Sequence, residues 1–194
     1  MTTQKSIQKK EYIVECARRV FAKKGFRDVT MKDLVEECEI SRGGLYLYFG
    51  DTASVFRAVL EAERKADGAE GGKLNPDMSA TDLFALFLKE QKKELLQKQD
   101  SINVAIYEFY FANKVPKKEH YLFHEFNAGV KILTLLITSC VENGEFICAD
   151  PEGCARNIMY VIEGLRIRSV TEGITQKQVD DELVYIMQGL VAEE

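Results

Sequence analysis

Apolar residues recur at every third or fourth position along most of this 194-residue chain, and this spacing predicts an all-α protein. The first stripe includes Ile13, Ala17 and Phe21, and Lys23-Lys24-Gly25 then supplies the cations and the glycine typical of a helix end. The apolar run Phe146-Ile147-Cys148 is too short to predict a strand. A total of about nine helices accounts for the pattern.

The segment from residue 30 to residue 49 predicts two short helices joined by a tight turn. Thr30 and Asp33 form a capping box, in which the hydroxyl serves one unpaired N–H group and the acid reaches back to another. Leu34 and Cys38 lie on the apolar face of the first helix, and Ser41 is the N-cap of the second. This arrangement is typical of a helix-turn-helix.

The second of these helices turns Leu45 and Phe49 inward. Its other faces carry Arg42, Gly43, Gly44, Tyr46, Leu47 and Tyr48. Each glycine weakens the helix by about 1 kcal/mol relative to alanine, and a backbone that must approach another molecule closely would explain that cost. Arginine binds guanine through two hydrogen bonds and tyrosine hydroxyls reach phosphates, so this surface suits DNA. The alternative is a helical hairpin that exposes an arginine and two tyrosines without touching DNA.

Capping and terminating residues divide the remainder of the chain into further helices. Asp51 or Thr52 caps a fourth helix that runs to position 67 or so, and the glycine-rich stretch 67–76 is expected to be a loop. The later helices are expected near residues 79–97, 101–113, 119–143, 151–171 and 175–191.

Residues 10–60 resemble the DNA-binding domain of the TetR family of bacterial transcriptional regulators. The resemblance is carried by Ile13, Ala17, Phe21, Gly25, Phe26, Thr30, Leu34, Ile40, Ser41, Gly43, Leu45, Tyr46, Tyr48 and Phe49. It implies a helix-turn-helix domain over residues 1–50, a connecting helix over 51–67, and an effector-binding and dimerisation domain over 68–194. The chain is then expected to be a homodimeric repressor that binds a palindromic double-stranded DNA operator and is released by a small-molecule effector.

The resemblance also assigns DNA contacts to positions of this chain. The expected DNA-binding residues are Thr30, Lys32, Arg42, Gly43, Gly44, Tyr46, Leu47, Tyr48 and Thr52. By resemblance, the first two contact the DNA backbone, the next three face base edges, and the two tyrosines hold phosphates.

Two positions depart from the family pattern. Glu39 stands at the turn where the family usually has glycine, and glutamate does not easily take a left-handed conformation, so the turn is expected to differ slightly. Thr52 stands where the family usually has lysine, and the loss of that charge lowers DNA affinity and its salt dependence. Neither departure removes the base-reading face.

The distribution of charge separates the two ends of the chain. Residues 1–50 carry 10 Lys+Arg and 7 Asp+Glu, a net charge of +3, whereas the remainder carries 16 and 24, a net charge of −8. A basic N-terminal segment followed by an acidic remainder is typical of a DNA-binding domain joined to a domain with another function. The acidic total of −5 instead supports an alternative, a helical ligand-binding or interaction protein whose helix-turn-helix no longer reads DNA.

Aromatic residues are concentrated between positions 84 and 160, where the resemblance implies an effector pocket. A pocket rich in aromatic rings suits a hydrophobic or aromatic small molecule. The expected effector-binding residues are Phe84, Phe87, Tyr107, Phe111, Phe126, Tyr160 and Glu163. The alternative is that aromatic residues at helical spacing form the core of the protein.

The last two predicted helices, residues 151–171 and 175–191, each carry an apolar stripe. Two copies of this pair would form a four-helix bundle, and the resemblance implies the same homodimer. The alternative is that the two stripes close the core of the monomer.

Other functions lack a signature. No GxSxG, GxxxxGK[ST] or GxGxxG motif is present, so neither catalysis nor a cofactor is expected. His120 and His124 have no evident third ligand, so no metal site is expected. Five cysteines without CxxC spacing, no signal peptide and no membrane-spanning apolar run favour a cytoplasmic protein with reduced thiols and no membrane partner. A redox role of Cys148 and Cys154 stays open.

Overall fold

A computed structural model describes residues 2–70, 78–97 and 100–191. Within these ranges the regular structure is nine α-helices and one 3-10 turn, Lys117–Glu119, and no strand occurs. The helices are α1 (Thr2–Lys24), α2 (Met31–Glu37), α3 (Arg42–Tyr46), α4 (Thr52–Glu70), α5 (Ala80–Leu96), α6 (Asn103–Ala112), α7 (Tyr121–Glu142), α8 (Pro151–Thr171) and α9 (Gln176–Gln188). The predicted all-α architecture is confirmed.

Several helix ends differ from the prediction. The third helix ends at Tyr46 instead of near Phe49. The fourth helix continues to Glu70, because a single glycine at position 68 costs a helix only about 1 kcal/mol, and the later part of the predicted loop lies outside the described residues. The ninth helix ends at Gln188 instead of near residue 191. There the N–H groups of Leu190 and Val191 both bond to the carbonyl of Met187, which closes the helix in a tight turn.

The contacts within the chain divide it into two compact units. The first unit holds α1 to α4 and α6, and the second holds α5, α8, α9 and the part of α7 from Leu122 onward. The segment around α6 therefore packs with the N-terminal helices, although the sequence assigned it to the effector-binding domain. The domain limits at residues 50 and 67 stay a prediction about function.

The core of the first unit is formed by the apolar stripes that the sequence identified. Its fully or almost fully buried members are Ile13, Ala17, Val20, Phe21, Leu34, Leu45, Phe49, Val55, Phe56, Val59 and Leu60. They come from α1 to α4 and the turn after α3, so the short helices of the helix-turn-helix are held by burial against α1 and α4.

An aromatic cluster joins α6 to this core. The ring of Phe109 lies 5.0 Å from Phe26 and 5.2 Å from Phe56, and Phe56 lies 4.7 Å from Phe21. Phe109 is 1% exposed, so its whole side chain is removed from water within the first unit. Packing of this kind stabilises beyond area burial alone because the rings meet edge to face or tilted.

A carboxylate on α6 also binds the chain just after α1. One side-chain oxygen of Glu108 accepts the backbone N–H groups of Phe26 (2.6 Å) and Arg27 (2.9 Å). Gly25 precedes them with φ +77°, and a Cβ there would lie 2.6 Å from the same oxygen. Glycine is therefore required at position 25 both by its left-handed backbone and by the approach of Glu108.

The second unit has its own apolar core between α5, α7, α8 and α9. Its buried members are Phe84, Leu88, Leu133, Ile137, Cys140, Phe146, Ala155, Ile158, Met159, Ile162 and Leu190. Gly129 of α7 lies against Met159 of α8, and a Cβ at position 129 would meet the methionine sulfur at 2.6 Å. In the part of the chain that the structure describes, no helix is both long enough and apolar enough to cross a membrane.

We expect Glu108→Ala to lower the free energy of unfolding by about 1–3 kcal/mol, because two backbone N–H groups lose a charged acceptor. Glu108→Gln keeps one acceptor oxygen and should lose less. The matched control is Glu152→Gln, which removes an exposed ion pair with Arg156 and should cost below about 0.5 kcal/mol. Urea denaturation followed by circular dichroism measures all three variants, and equal losses for Glu108→Ala and the control would contradict the assigned contact.

Candidate nucleic-acid interface

The first helix of the helix-turn-helix begins with the predicted capping box. The Thr30 hydroxyl accepts the N–H of Asp33 at 3.3 Å, and the Asp33 carboxylate accepts the N–H of Thr30 at 2.8 Å. Lys24 at the end of α1 lies 2.5 Å from the other Asp33 oxygen. The Lys24 ammonium and, after it, the Thr30 donors hold the pKa of Asp33 well below its usual range. Asp33 therefore stays ionised and ties the start of α2 to the end of α1.

Two further contacts hold α2 against α1. The guanidinium of Arg19 lies 3.0 Å from the carboxylate of Glu37, and the Tyr12 hydroxyl donates to the backbone carbonyl of Cys38 at 3.2 Å. These positioning residues were missed from the sequence, because their partners lie 18 and 26 residues away. No local pattern connects residues at such separations.

The turn between α2 and α3 is made by Glu39. Its φ is +50°, so the residue adopts the left-handed conformation in which the family usually places glycine. The sequence indicates that glutamate does not easily take this conformation, and Glu39 takes it nevertheless, at a cost of about 1–2 kcal/mol. Helix α3 therefore follows a left-handed turn.

The recognition helix α3 is short and is held from one side. The Ser41 hydroxyl accepts the N–H of Gly44 at 3.1 Å, which confirms the predicted N-cap. Leu45 is completely buried and Phe49 is 4% exposed, so both anchor α3 in the core of the first unit. The opposite, exposed side carries Arg42, Gly43, Tyr46 and Leu47, and we call these four residues the α3 face.

The two glycines of α3 differ in what surrounds them. A Cβ at Gly44 would lie 3.1 Å from the Ser41 hydroxyl oxygen, a close contact that a small shift of that hydroxyl would relieve. A Cβ at Gly43 would meet no atom within 4 Å. Nothing inside the protein therefore requires glycine at position 43, although glycine weakens a helix by about 1 kcal/mol relative to alanine.

Arg42 and Tyr46 lie one turn apart on the α3 face and interact. The guanidinium carbon of Arg42 is 5.6 Å from the centre of the Tyr46 ring, within the range of a cation–π contact. Leu47 completes the face with 78% of its surface exposed. The face thus combines a fixed cation, an open stretch of backbone and an unsupported apolar side chain.

The remaining expected DNA-binding residues lie at the starts of α2 and α4 and in the turn after α3. Thr30 and Lys32 are exposed at the start of α2, and the Lys32 ammonium lies 3.6 Å from Glu36. Tyr48 is half-buried. Thr52 is the first residue of α4, and Asp51 caps that helix by accepting the N–H of Ser54 at 2.7 Å. The structure does not test their DNA contacts, so these assignments stay predictions.

The expected effector-binding residues are divided between the two units. On α6 in the first unit, the rings of Tyr107 and Phe111 stack 6.5 Å apart, and Phe111 is 79% exposed. In the second unit, the Phe126 ring lies 4.8 Å from Tyr160. These pairs are the groupings that the described contacts bring together, and their roles toward an effector stay predictions.

The other three expected effector-binding residues belong to the second unit as well. Phe84 is completely buried and meets Phe146 edge to face at 5.3 Å, so it is a core residue of this unit. Phe87 is partly buried against the same core. Glu163 is paired with Arg166 at 2.8 Å, and Arg166 also reaches the carboxylate of Glu94 on α5. Glu163, the charged residue of this set, is therefore already paired with an arginine of the same unit.

The apolar stripes of α8 and α9 lie toward the core of the second unit. Ile158 and Ile162 are buried there, and Leu183 and Met187 pack against them. Other apolar residues of the two helices and of the turn after α9 are left exposed, and these are Tyr160, Ile167, Val184, Tyr185 and Val191. The stripes read from the sequence thus close the monomer's own core, and a second set of residues forms the outer surface.

Four of the five cysteines form two neighbouring pairs. Cys148 and Cys154 interact beside the start of α8 as the sequence suggested, and burial raises the pKa of Cys154 to about 11. Cys16 and Cys38 form a pair that the sequence did not suggest, and burial raises the pKa of Cys38 to about 12. Both raised values describe thiols that stay protonated at neutral pH.

Comparison with known proteins matches both ends of the chain to family models. Residues 13–59 match the model described as bacterial regulatory proteins, tetR family. Residues 83–180 match the model described as tetracyclin repressor-like, C-terminal domain. The first match spans α2, α3 and most of the α1 and α4 contacts described above.

Individual relatives agree with these matches. The HTH-type transcriptional regulator YfiR of Bacillus subtilis (strain 168) is 32% identical over 145 residues, which are 72% of this chain and 68% of that protein. The HTH-type transcriptional repressor AcnR of Corynebacterium efficiens is 35% identical over 68 residues, 34% of this chain and 36% of AcnR. The crystal structure of a TetR transcription regulator from Haloarcula marismortui superposes with a TM-score of 0.79 at 18% identity, over 95% of this chain and 99% of that one.

The two glycines of α3 provide a test that needs no DNA. We expect Gly43→Ala to raise the free energy of unfolding by about 0.5–1 kcal/mol, because alanine favours the helix and its Cβ has open space. Gly44→Ala should gain less or lose stability, because its Cβ presses on the Ser41 cap. Thermal denaturation of both variants beside the wild type gives the order, and equal gains would show that the Ser41 contact does not decide position 44.

Proposed function

Because the chain belongs to the TetR family of bacterial regulatory proteins, we propose that it is a cytoplasmic transcriptional repressor released from DNA by a small molecule. It binds a palindromic operator as a homodimer, with one α3 face in each of two successive major grooves. The observation that carries this proposal is the α3 face itself. It presents a cation and an open backbone at Gly43, where the protein gains nothing from glycine.

The composition of the α3 face supports base reading over simple charge attraction. The Arg42 guanidinium lies 5.6 Å from the Tyr46 ring centre on the exposed side of α3, where it is open to another molecule. Arginine binds the O6 and N7 atoms of guanine with two hydrogen bonds, which is a common specific contact in the major groove. Lys32 and Thr30 at the start of α2 are exposed beside it and suit phosphate contacts.

The homodimer is proposed to form through the outer surfaces of α8 and α9. Tyr160 and Ile167 on α8, Val184 and Tyr185 on α9, and Val191 just after α9 leave large apolar side chains in water. A shallow groove along α9 is lined by Leu183, Val184, Met187 and Val191, and a second runs between α8 and α9 past Gly164. Two copies of this surface would bury each other, and two reading domains held about 34–36 Å apart match one turn of DNA.

The effector is proposed to be a hydrophobic or aromatic small molecule bound among aromatic side chains of the C-terminal region. The Phe126 ring, which lies 4.8 Å from Tyr160, and the partly buried Phe87 of the second unit support this proposal, and Tyr160 would reach the molecule through the edge of its ring that faces Phe126. The molecule would bind more tightly to a dimer whose α3 helices are wrongly spaced for successive grooves. DNA affinity then falls by that difference in binding free energy and by nothing else.

The alternative function, a helical ligand-binding or interaction protein that no longer reads DNA, makes a different prediction. Full-length protein is titrated by fluorescence anisotropy against DNA from upstream of its own gene and against a scrambled duplex, at several salt concentrations. The repressor is expected to prefer the native fragment by about 10³-fold and to saturate at two chains per site. Equal, weak binding to that fragment, to the scrambled duplex and to every duplex of a random library would favour the alternative.

In the same titration we expect Arg42→Ala to weaken operator binding by about 1–3 kcal/mol and to relax the preference at one base position per half-site. Arg64→Ala is the matched control, since it removes an exposed arginine from α4. It should keep the base preference of the wild type. An Arg42→Ala variant with unchanged sequence preference would remove Arg42 from the base-reading set.

The dimer surface has its own test in Tyr185, which is 75% exposed on α9. We expect Tyr185→Glu to shift the protein from dimer to monomer in light scattering, because a buried unpaired charge opposes association. Ile7→Glu, which places the same charge on an exposed apolar position of α1, should leave the mass unchanged. A wild-type protein that is monomeric at micromolar concentration, or a Tyr185→Glu variant that stays dimeric, would refute this surface.

A further inference from the structure

Leu47 is the most exposed residue of the α3 face, and nothing in the first unit accounts for its position. Its side chain is 78% exposed, whereas Leu45 and Phe49 on either side of it in sequence are buried. Leu45 and Phe49 already attach α3 to the core, and Leu47 does not take part in that packing. A single exposed leucine is common on protein surfaces, so the argument depends on what lies beside it.

Leu47 lies one helical turn beyond Gly43. Although α3 ends at Tyr46, Leu47 keeps helical backbone angles (φ −64°, ψ −28°), so positions 43 and 47 share one side of the helix. Gly43 has no side chain and open space where a Cβ would stand. The leucine is therefore unobstructed along the strip of helix that is free to come close to another surface.

A second pair of residues flanks this strip. Arg42 and Tyr46 occupy the adjacent side of the helix and are held together at 5.6 Å. An apolar side chain thus stands next to an ordered cation on a face that lies within the residues matched to the DNA-binding family model. Because this surface is continuous with the proposed DNA interface, DNA is the molecule that we expect to contact Leu47.

The chemistry of the major groove identifies what a leucine can recognise there. Leucine carries no donor or acceptor for the polar edges of the bases, and the apolar group in the groove is the C5 methyl of thymine. We propose that Leu47 reads the methyl group of one thymine in each operator half-site. The inference deepens the proposed function and rests on it.

The test removes the methyl from the DNA and the side chain from the protein in turn. The preferred duplex of the full-length protein is first selected from a random library, and each thymine of a half-site is then replaced by deoxyuridine, one at a time. We expect one position at which wild-type affinity falls about fourfold, the equivalent of one buried methyl group. Leu47→Ala should bind the thymine and deoxyuridine duplexes equally at that position.

Two variants sharpen the comparison. Leu47→Met keeps a long apolar side chain and should retain most of the thymine preference. Ile147→Ala removes an exposed apolar side chain of the second unit, 67% exposed, and should keep the full wild-type profile. Because both positions are exposed, neither change is expected to unfold the protein.

The outcomes separate this inference from the function on which it rests. Specific binding by the wild type without any thymine whose methyl matters, or with the same fourfold loss in Leu47→Ala, would overturn the role of Leu47 and leave the repressor intact. Failure of the library selection to return any preferred duplex would overturn both the proposed function and the inference.

Discussion

The packing of Phe109 against Phe26 and Phe56 is the interaction on which the first unit depends. These rings come from α6, the turn after α1, and α4, and Phe21 of α1 completes the cluster. Burial of four aromatic side chains joins three helices that are far apart in sequence. Since α2 and α3 are too short to be stable alone, their position follows from burial of Leu34, Leu45 and Phe49 in the same core and from the polar contacts of α1.

The residues of α3 balance the stability of the fold against the access of another molecule to the exposed side of the helix. Leu45 and Phe49 hold it in the core, while the side toward solvent keeps an uncrowded glycine and an exposed leucine that do not stabilise the fold. Gly44 is different, because a Cβ added there would meet the Ser41 hydroxyl oxygen at 3.1 Å. The two adjacent glycines therefore differ in the space around each Cβ.

In the second unit, α8 and α9 carry apolar residues on more than one side. The stripes of α8 and α9 that meet α5 and α7 form the unit's own core, and Val184, Tyr185 and Tyr160 remain on the outside. A helix that is apolar on two sides has a surface left to bury after its own unit has folded. Association of two copies is the proposed use of that surface.

Local signals in the sequence determined the helices, their caps and the buried residues of the first unit. Helical spacing and the Thr30 and Ser41 caps act within a few residues, so a single stretch of sequence contains them. They also indicated Arg42 and Gly43 as candidate DNA-binding residues, because both lie in one contiguous motif. They did not reveal that Glu39 takes a left-handed backbone conformation or that α6 packs with α1 to α4 in the first unit. Only the tertiary structure decided these points, together with the outward sides of α8 and α9. Contacts such as Tyr12 with Cys38 and Glu108 with Phe26 join residues 26 and 82 positions apart, and the periodicity of one helix carries no information about its distant partner.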